Sequence, residues 1–242
     1  MRRLFSLDWR SRLPARCELC GDGPHGPICP DCHRDLAPLV PRCPSCALPL
    51  PPGLELCDTC RQASSPPWQQ AHARLDYREP WRRCILKLKT PHGWGWADAL
   101  ARLWLDDPHI VALLQEADGW LPVPLSPQRL AERGHNQAWS LMQALARRTR
   151  TPPAQAQVLR RAAQAPVLHY LDAVSRRQWE TQLFQLAPSA QRWVRGRHLV
   201  VVDDVMTTGT TLRAACAALL QAGAASVRAL VLARTPAPEH GA

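Results

Sequence analysis

Lysine is almost missing from this chain: of 30 basic residues, only Lys87 and Lys89 are lysines. Coding composition explains that bias more readily than function does, and it makes the two positions informative, because lysine stands there against the trend. No stretch approaches the ~18 consecutive apolar residues of a membrane span, so membrane insertion is not expected. The N-terminal segment MRRLFSLDWRSRLPARC is basic but has no sustained apolar run and carries Asp8 and Arg10 early. It does not read as a signal peptide, which predicts a cytoplasmic protein. Also missing are a Ser-His or Cys-His nucleophile arrangement and any recognisable base-binding sequence. A core is affordable, since 46 % of the 242 residues are hydrophobic, with room for one large domain or a core domain and a small companion. The net charge of +10 favours a polyanionic partner through long-range attraction.

Eight of the ten cysteines fall into four C-x-x-C pairs: Cys17 and Cys20, Cys29 and Cys32, Cys43 and Cys46, Cys57 and Cys60. Two intervening residues let both sulfurs face one ion across a tight turn, and two such pairs complete a tetrahedral Cys₄ zinc site. A disulfide frame is the alternative, disfavoured in a reducing compartment. Four catalytic redox pairs in a row make little sense. Eight sulfurs satisfy two structural Zn²⁺ ions. "CELCG" and "CPSCA" each resemble the first knuckle of a zinc ribbon, and each is followed within about a dozen residues by a second pair. That order favours sequential sites, Cys17/20/29/32 and Cys43/46/57/60, over a cross-braced arrangement. His25 and His33 can replace a sulfur in a mixed site but are expected to be bystanders. Structural zinc contributes on the order of 10 kcal/mol to folding such a module. Cys84 and Cys216 stand apart, as small apolar packing residues.

The stretch "LVVVDDVMTTGTTL", residues 199–212, joins an aliphatic run to two carboxylates and then to threonine and glycine alone. Leu199 to Val202 reads as a strand buried on both faces of a parallel sheet, which the chain leaves at Asp203. The helix after the loop is expected to bury Leu212, Cys216, Leu219 and Leu220 and to stop at Gly223. Unpaired N–H groups and the positive dipole end at a helix start favour an anion, and small hydroxyl residues admit a phosphate to the backbone. Asp203 and Asp204 can accept hydrogen bonds from a sugar diol, or help hold Mg²⁺ through water. Together they describe a ribose phosphate. A Walker loop requires Gly-Lys-Ser/Thr, and no lysine is present here; an ordinary strand-to-helix turn with a threonine cap is the plain alternative.

The polar, proline-bearing segment "RQASSPPWQQ" reads as a linker, which predicts a zinc-ribbon module over residues 1–66 and a larger domain over 67–242. Within the latter, a strand or turn, a helix, a loop with Gly93 and Gly95 and another helix are followed by an apolar strand ending in a Pro-x-Pro loop. The next helix buries Ala138, Leu141, Met142 and Leu145. Alternation of this kind predicts an α/β fold with a parallel sheet. Trp94 and Trp96, flanked by Lys87, Lys89 and His92, can stack on bases, although most tryptophans of soluble domains serve packing.

"VVVDDVMTTGTT" resembles the phosphoribosyl-pyrophosphate (PRPP) signature of type I phosphoribosyltransferases. The resemblance implies that Asp203 and Asp204 contact ribose hydroxyls and that Thr207, Thr208, Gly209, Thr210 and Thr211 bind the 5′-phosphate. The full order of four C-x-x-C pairs, a lysine-bearing segment, "VPVPL…RLAERGHNQA" and the acidic signature resembles the ComF family, also called GntX-like, over nearly the whole chain. That likeness implies a pyrophosphate-loop region made of Pro124, Leu125, Lys89, Arg133, Asn136 and Gln137, with His135 where an aromatic is usual. It also implies PRPP or another ribose 5-phosphate as ligand, with Mg²⁺, and a role in DNA uptake through single-stranded DNA and DNA-uptake or recombination proteins. Two other classes compete: an active transferase acting on a base or amine, and a structural zinc-ribbon adaptor. Between residues 159 and 184 the sequence keeps Arg161 and Arg176 of the family pattern but has Leu168 and Trp179 at two other positions. Those departures put substrate closure, and hence catalysis, in question.

Overall fold

The computed structural model describes residues 16–149, 155–162 and 182–237. Arg176, Leu168 and Trp179 lie outside the described residues. Two compact units divide the chain at Pro38 and Leu39. The first carries Cys17, Cys20, Cys29 and Cys32 together with helix α1 (Pro30–Leu36). The sequence division near residue 66 follows where the cysteine ligands end. Packing divides the chain earlier, because residues after Leu39 share hydrogen bonds and core with the sheet.

In the larger unit, α2 (Asp58–Gln62) precedes strand β1 (Ala71–Asp76), then come α3 (Trp81–Leu88), α4 (Ala97–Leu105) and α5 (Pro108–Glu116). Strand β2 (Gly119–Pro122) leads to α6 (Pro127–Arg133) and α7 (Gln137–Ala146). Strands β3 (Leu159–Arg161) and β4 (Phe184–Leu186) form a separate antiparallel pair. After the short helix α8 (Gln191–Val194) the chain enters β5 (His198–Met206), α9 (Thr210–Gln221) and β6 (Ser226–Arg234). The four-stranded sheet has the order β1-β6-β5-β2 and is parallel throughout.

Burial explains the two central strands. Leu199 to Val202 are at most 1 % exposed, as expected of a strand covered on both faces. Leu199 and Val201 share a core with Leu212, Ala215, Cys216 and Leu219 of α9, while α4 and α7 pack together and α7 meets β5. Leu220 is 36 % exposed; Ala214 and Ala215 occupy the buried face in its place. On α7 the four expected residues are all buried. Cys84 and Cys216 are fully buried, and burial pushes the Cys216 thiol up, consistent with packing residues. Trp104 and Trp120 are also fully buried, and the Trp104 indole N–H donates to the Val231 carbonyl at 3.2 Å. Among the described residues no helix is long and apolar enough to cross a membrane.

Strand β5 does not stop at Asp203. Its ladder with β6 continues through Asp203↔Val231, Val205↔Ala233 and Met206↔Arg234. An equally long neighbour keeps pairing the backbone even where the side chains become acidic, so the carboxylates project from within the strand's last turn of pleat.

Candidate functional site

Two sulfur clusters come first along the chain. Cys17, Cys20, Cys29 and Cys32 gather in one, Cys43, Cys46, Cys57 and Cys60 in the other, with all sulfurs of a set within 4.8 Å of one another. The pairing is therefore sequential, no disulfide joins any of the ten cysteines, and neither His25 nor His33 joins a cluster. Cys20 and Cys29 sulfurs lie 3.7 Å apart, and Cys46 and Cys57 3.6 Å. A tetrahedron with Zn–S bonds of about 2.3 Å has edges of about 3.8 Å, so these donor sets fit the ion. Backbone N–H groups favour the thiolate at one cysteine of each set, whereas burial and the neighbouring sulfurs push Cys32, Cys46 and Cys60 up. Burial opposes ionisation of Cys17, but hydrogen bonds from Cys29, Cys20 and Leu19 bring it down to about 6. The same competition, with donors from Cys57, Cys46 and Ser45, leaves Cys43 at about 7. Each knuckle ends in the left-handed region, at Gly21 with φ 78° and at Ala47 with φ 59°. An alanine is costly there, and its fully buried methyl offsets the strain by packing in the main core.

The second site sits at the carboxyl ends of β5 and β2, where open parallel sheets place their ligands. Asp203 is half-buried and its Oδ1 accepts from the Asp204 amide at 2.8 Å. Asp204 is buried, and Lys89 Nζ lies 2.9 Å from its Oδ2. The two carboxyls are driven apart. Burial and then the charge of Asp204 push Asp203 well up. Burial also works against the Asp204 carboxylate, but Lys89 foremost, then Asp203 and Arg133, leave it lowered. Lys89 caps the end of α3 and lies 5.6 Å from the centroid of the Tyr77 ring.

Beyond Met206 the Thr/Gly loop turns into α9. Gly209 is the N-cap residue with φ 80° and offers no side-chain cap of its own. The Thr210 amide donates to the Thr208 hydroxyl at 3.5 Å; with glycine as N-cap, the remaining first-turn N–H groups suit an anion. Thr207 and Thr208 are exposed, Thr211 is half-buried, and the buried Thr210 hydroxyl lies 2.9 Å from that of Thr208. On the β2 side, Val123 N–H donates to Val202 O at 2.8 Å, which seats the loop holding Pro124 and Leu125 next to β5. Asn136 caps α7 by accepting from the Trp139 amide at 3.2 Å, and its Nδ2 donates to Val123 O at 2.8 Å. Its amide is spent on holding the loop. Arg133 donates to Gln137 Oε1 at 2.9 Å, leaving the Gln137 Nε2 without an acceptor among the described residues. His135 reaches two carbonyls, Arg133 O and Leu88 O, each at 3.0 Å, and so links the end of α6 to the end of α3.

The acidic pair, the Thr/Gly loop, Lys89 and Arg133 therefore meet at the carboxyl end of the sheet. Two participants were missed. Arg234 donates to Met206 and Thr207 carbonyls, and Trp68 packs against Gly209. No local signal marks the first, which follows from the register Met206↔Arg234; for Trp68 the one hint is an aromatic residue in an otherwise polar linker.

The phosphoribosyl transferase domain family matches residues 151–240. The chain is 36 % identical over 173 residues to the DNA utilization protein YhgH of Escherichia coli (strain K12), covering 70 % of this chain and 74 % of that protein. Over the same shares it is 35 % identical to the protein of that name from Salmonella typhimurium and 32 % identical to Competence protein F of Haemophilus influenzae. The chain belongs to the ComF-like family. In this chain the matched region holds the acidic pair and the glycine-capped start of α9.

Proposed function

We propose that the protein binds PRPP, or another ribose 5-phosphate, at the β5–α9 junction and acts in single-stranded DNA handling during DNA uptake or recombination, in the cytoplasm. The observation that carries this reading is the start of α9, whose N-cap is a glycine in the Thr/Gly loop, beside two carboxylates at a parallel strand end. Backbone N–H groups of Thr207–Thr211 and their hydroxyls would hold the 5′-phosphate. Asp203 and Asp204 would accept from the ribose hydroxyls, and Mg²⁺ bound with PRPP would neutralise pyrophosphate charge. Arg133 and the Pro124–Leu125 loop border the place a pyrophosphate would take, with Lys89 supplying a further cation next to Asp204. Two Zn²⁺ ions per chain would be structural.

The DNA part rests on the charge of +10, on the relatives' names and on one surface. A cavity of about 460 Å³ on α3 is lined by Glu79, Arg82, Arg83, Leu86, Lys87 and Thr90. Nearby, Lys87 lies 5.4 Å from the Trp96 ring centroid and Trp94 is 48 % exposed. Gly93 keeps this turn tight, since a Cβ there would meet Lys87 O at 2.2 Å. Of the cations expected around the tryptophans, Lys89 instead faces Asp204. Calorimetric titration of zinc-loaded protein with PRPP and Mg²⁺ tests the first part: a saturable heat is expected in the wild type and none in Gly209→Val. No heat in the wild type removes the ribose-phosphate reading.

A further inference from the structure

The second cysteine cluster and the Thr/Gly loop are joined by side chains that neither feature needs for itself. Arg234, the last residue of β6, directs Nε to the Cys46 carbonyl at 2.7 Å. Its Nη1 reaches the carbonyls of Met206 at 3.1 Å, of Thr235 at 2.7 Å and of Thr207. One planar fork thus spans from the metal knuckle to the first residue of the loop. Trp68 makes a second tie. Its indole N–H donates to Ser45 O at 2.8 Å, and its ring lies under Gly209, where a Cβ would meet Cη2 at 3.4 Å. Ser45 and Cys46 both belong to the Cys43–Cys46 knuckle, so both ties leave from the same turn. Ala47, next in the chain, shares one core cluster with Trp68, Met206 and Leu212. Zn²⁺ held by four thiolates has a net negative charge, which the nearby guanidinium complements.

We propose that Arg234 and Trp68 are positioning residues that couple metal occupancy of the Cys43/Cys46/Cys57/Cys60 cluster to the shape of the Thr/Gly loop. With the ion bound, the Cys46 and Ser45 carbonyls are fixed, Arg234 and Trp68 are held, and the loop amides keep the arrangement that admits an anion. Without it the knuckle loosens, and the loop loses two of its supports. The first cluster, in the other compact unit, has no part in this. What the loop then binds rests on the ribose-phosphate reading; the coupling does not.

Hydrogen exchange of the full-length protein, read by mass spectrometry over residues 206–216, where the Arg213 amide bonded to Gly209 O at 2.8 Å reports on the loop, tests the coupling without any ligand. Chelation of zinc should speed exchange of these amides roughly tenfold, the scale of losing one or two supporting hydrogen bonds. Arg234→Gln with zinc bound should reproduce most of that rise while residues 199–202 and 229–232 stay protected. Stripping zinc from Arg234→Gln should then add little. Cys17→Ser, which disables only the first cluster, should leave the loop as in the wild type. Should Arg234→Gln lose protection across the sheet as well, Trp68→Phe keeps the ring under Gly209 and deletes only the bond to Ser45. A faster-exchanging loop in that variant supports the coupling, and an unchanged one overturns it. Loop exchange indifferent to zinc, or additive effects of Arg234→Gln and zinc removal, would also overturn it. If exchange behaves as expected but PRPP binds no variant, the wild type included, the ribose-phosphate reading falls and the coupling stands.

Discussion

At the scale of single residues, adjacent aspartates do opposite things to stability. Asp203 is held with its carboxyl pushed up, so ionising it costs more in the folded chain than in the unfolded one. That cost is present above the ordinary carboxylate range of ~4 and vanishes below it. Asp203→Asn should therefore raise the melting temperature of ligand-free protein at pH 7, and the gain should disappear by about pH 4. Asp204 is the reverse case: its carboxyl is lowered with Lys89 beside it, so its contribution is present at neutral pH and lost as pH falls. Asp204→Asn leaves that ammonium without its partner and should cost about 1–3 kcal/mol, less than a fully buried broken pair because the lysine keeps some solvent. Melting curves of the two single variants at pH 7 should move in opposite directions; a shift of the same sign in both would refute this account. Both variants should weaken PRPP. Gly209→Val acts by another route, since it puts a β-branched residue at φ 80° against Trp68 and across the first-turn amides. It should abolish PRPP binding in the titration described above.

The strand β5, its loop and α9 work as one element. Leu212 is 1 % exposed in the core beneath the loop, so Leu212→Ala should lower stability by roughly 2–5 kcal/mol in denaturant melts while leaving ligand preference little changed. The cysteine knuckles divide in the same way. Arg42 donates to both Ala47 O and Asp76 Oδ1, at 3.1 and 2.9 Å, and the Ala71 amide donates to Pro44 O at 2.7 Å. These bonds fasten the second knuckle to β1. Cys57→Ser should thus lower the melting temperature of the sheet-bearing unit, whereas Cys17→Ser should not; elemental analysis should find one zinc per chain in each, against two in the wild type. Equal melting temperatures for Cys57→Ser and the wild type would show that the knuckle is not part of the sheet's support.

For the whole molecule, the excess of positive charge predicts DNA affinity that falls steeply with salt. Each phosphate neutralised on a single strand contributes a slope of about −0.7 in log K against log salt. Anisotropy titrations with labelled oligonucleotides should show single strands competing better than duplex, and Trp94→Ala should narrow that difference. Equal affinity for both forms, with Trp94→Ala silent, would remove stacking but leave the electrostatic term.

Local chemistry made much of this protein legible from its residues. Four C-x-x-C pairs identify two sulfur sites because the ligand spacing is itself the geometry, and "VVVDDVMTTGTT" identifies a strand, an acidic edge and a helix start because those signals are contiguous. The parallel sheet follows from alternation. Other features depended on parts of the chain far apart in sequence. The length of β5 was decided by β6 running beside it, not by where acidic residues begin. Lys89 met Asp204 only because α3 ends beside β5, and Arg234 joined Cys46 to Met206 across 188 and 28 residues of separation. The second cluster's place in the sheet unit was equally invisible, since Ala47 and Trp68 look like loop and linker until their burial is known. Contiguous residues state which chemistry is available; only folding brings the supports of that chemistry from elsewhere in the chain, because packing and register act between segments that no local pattern connects.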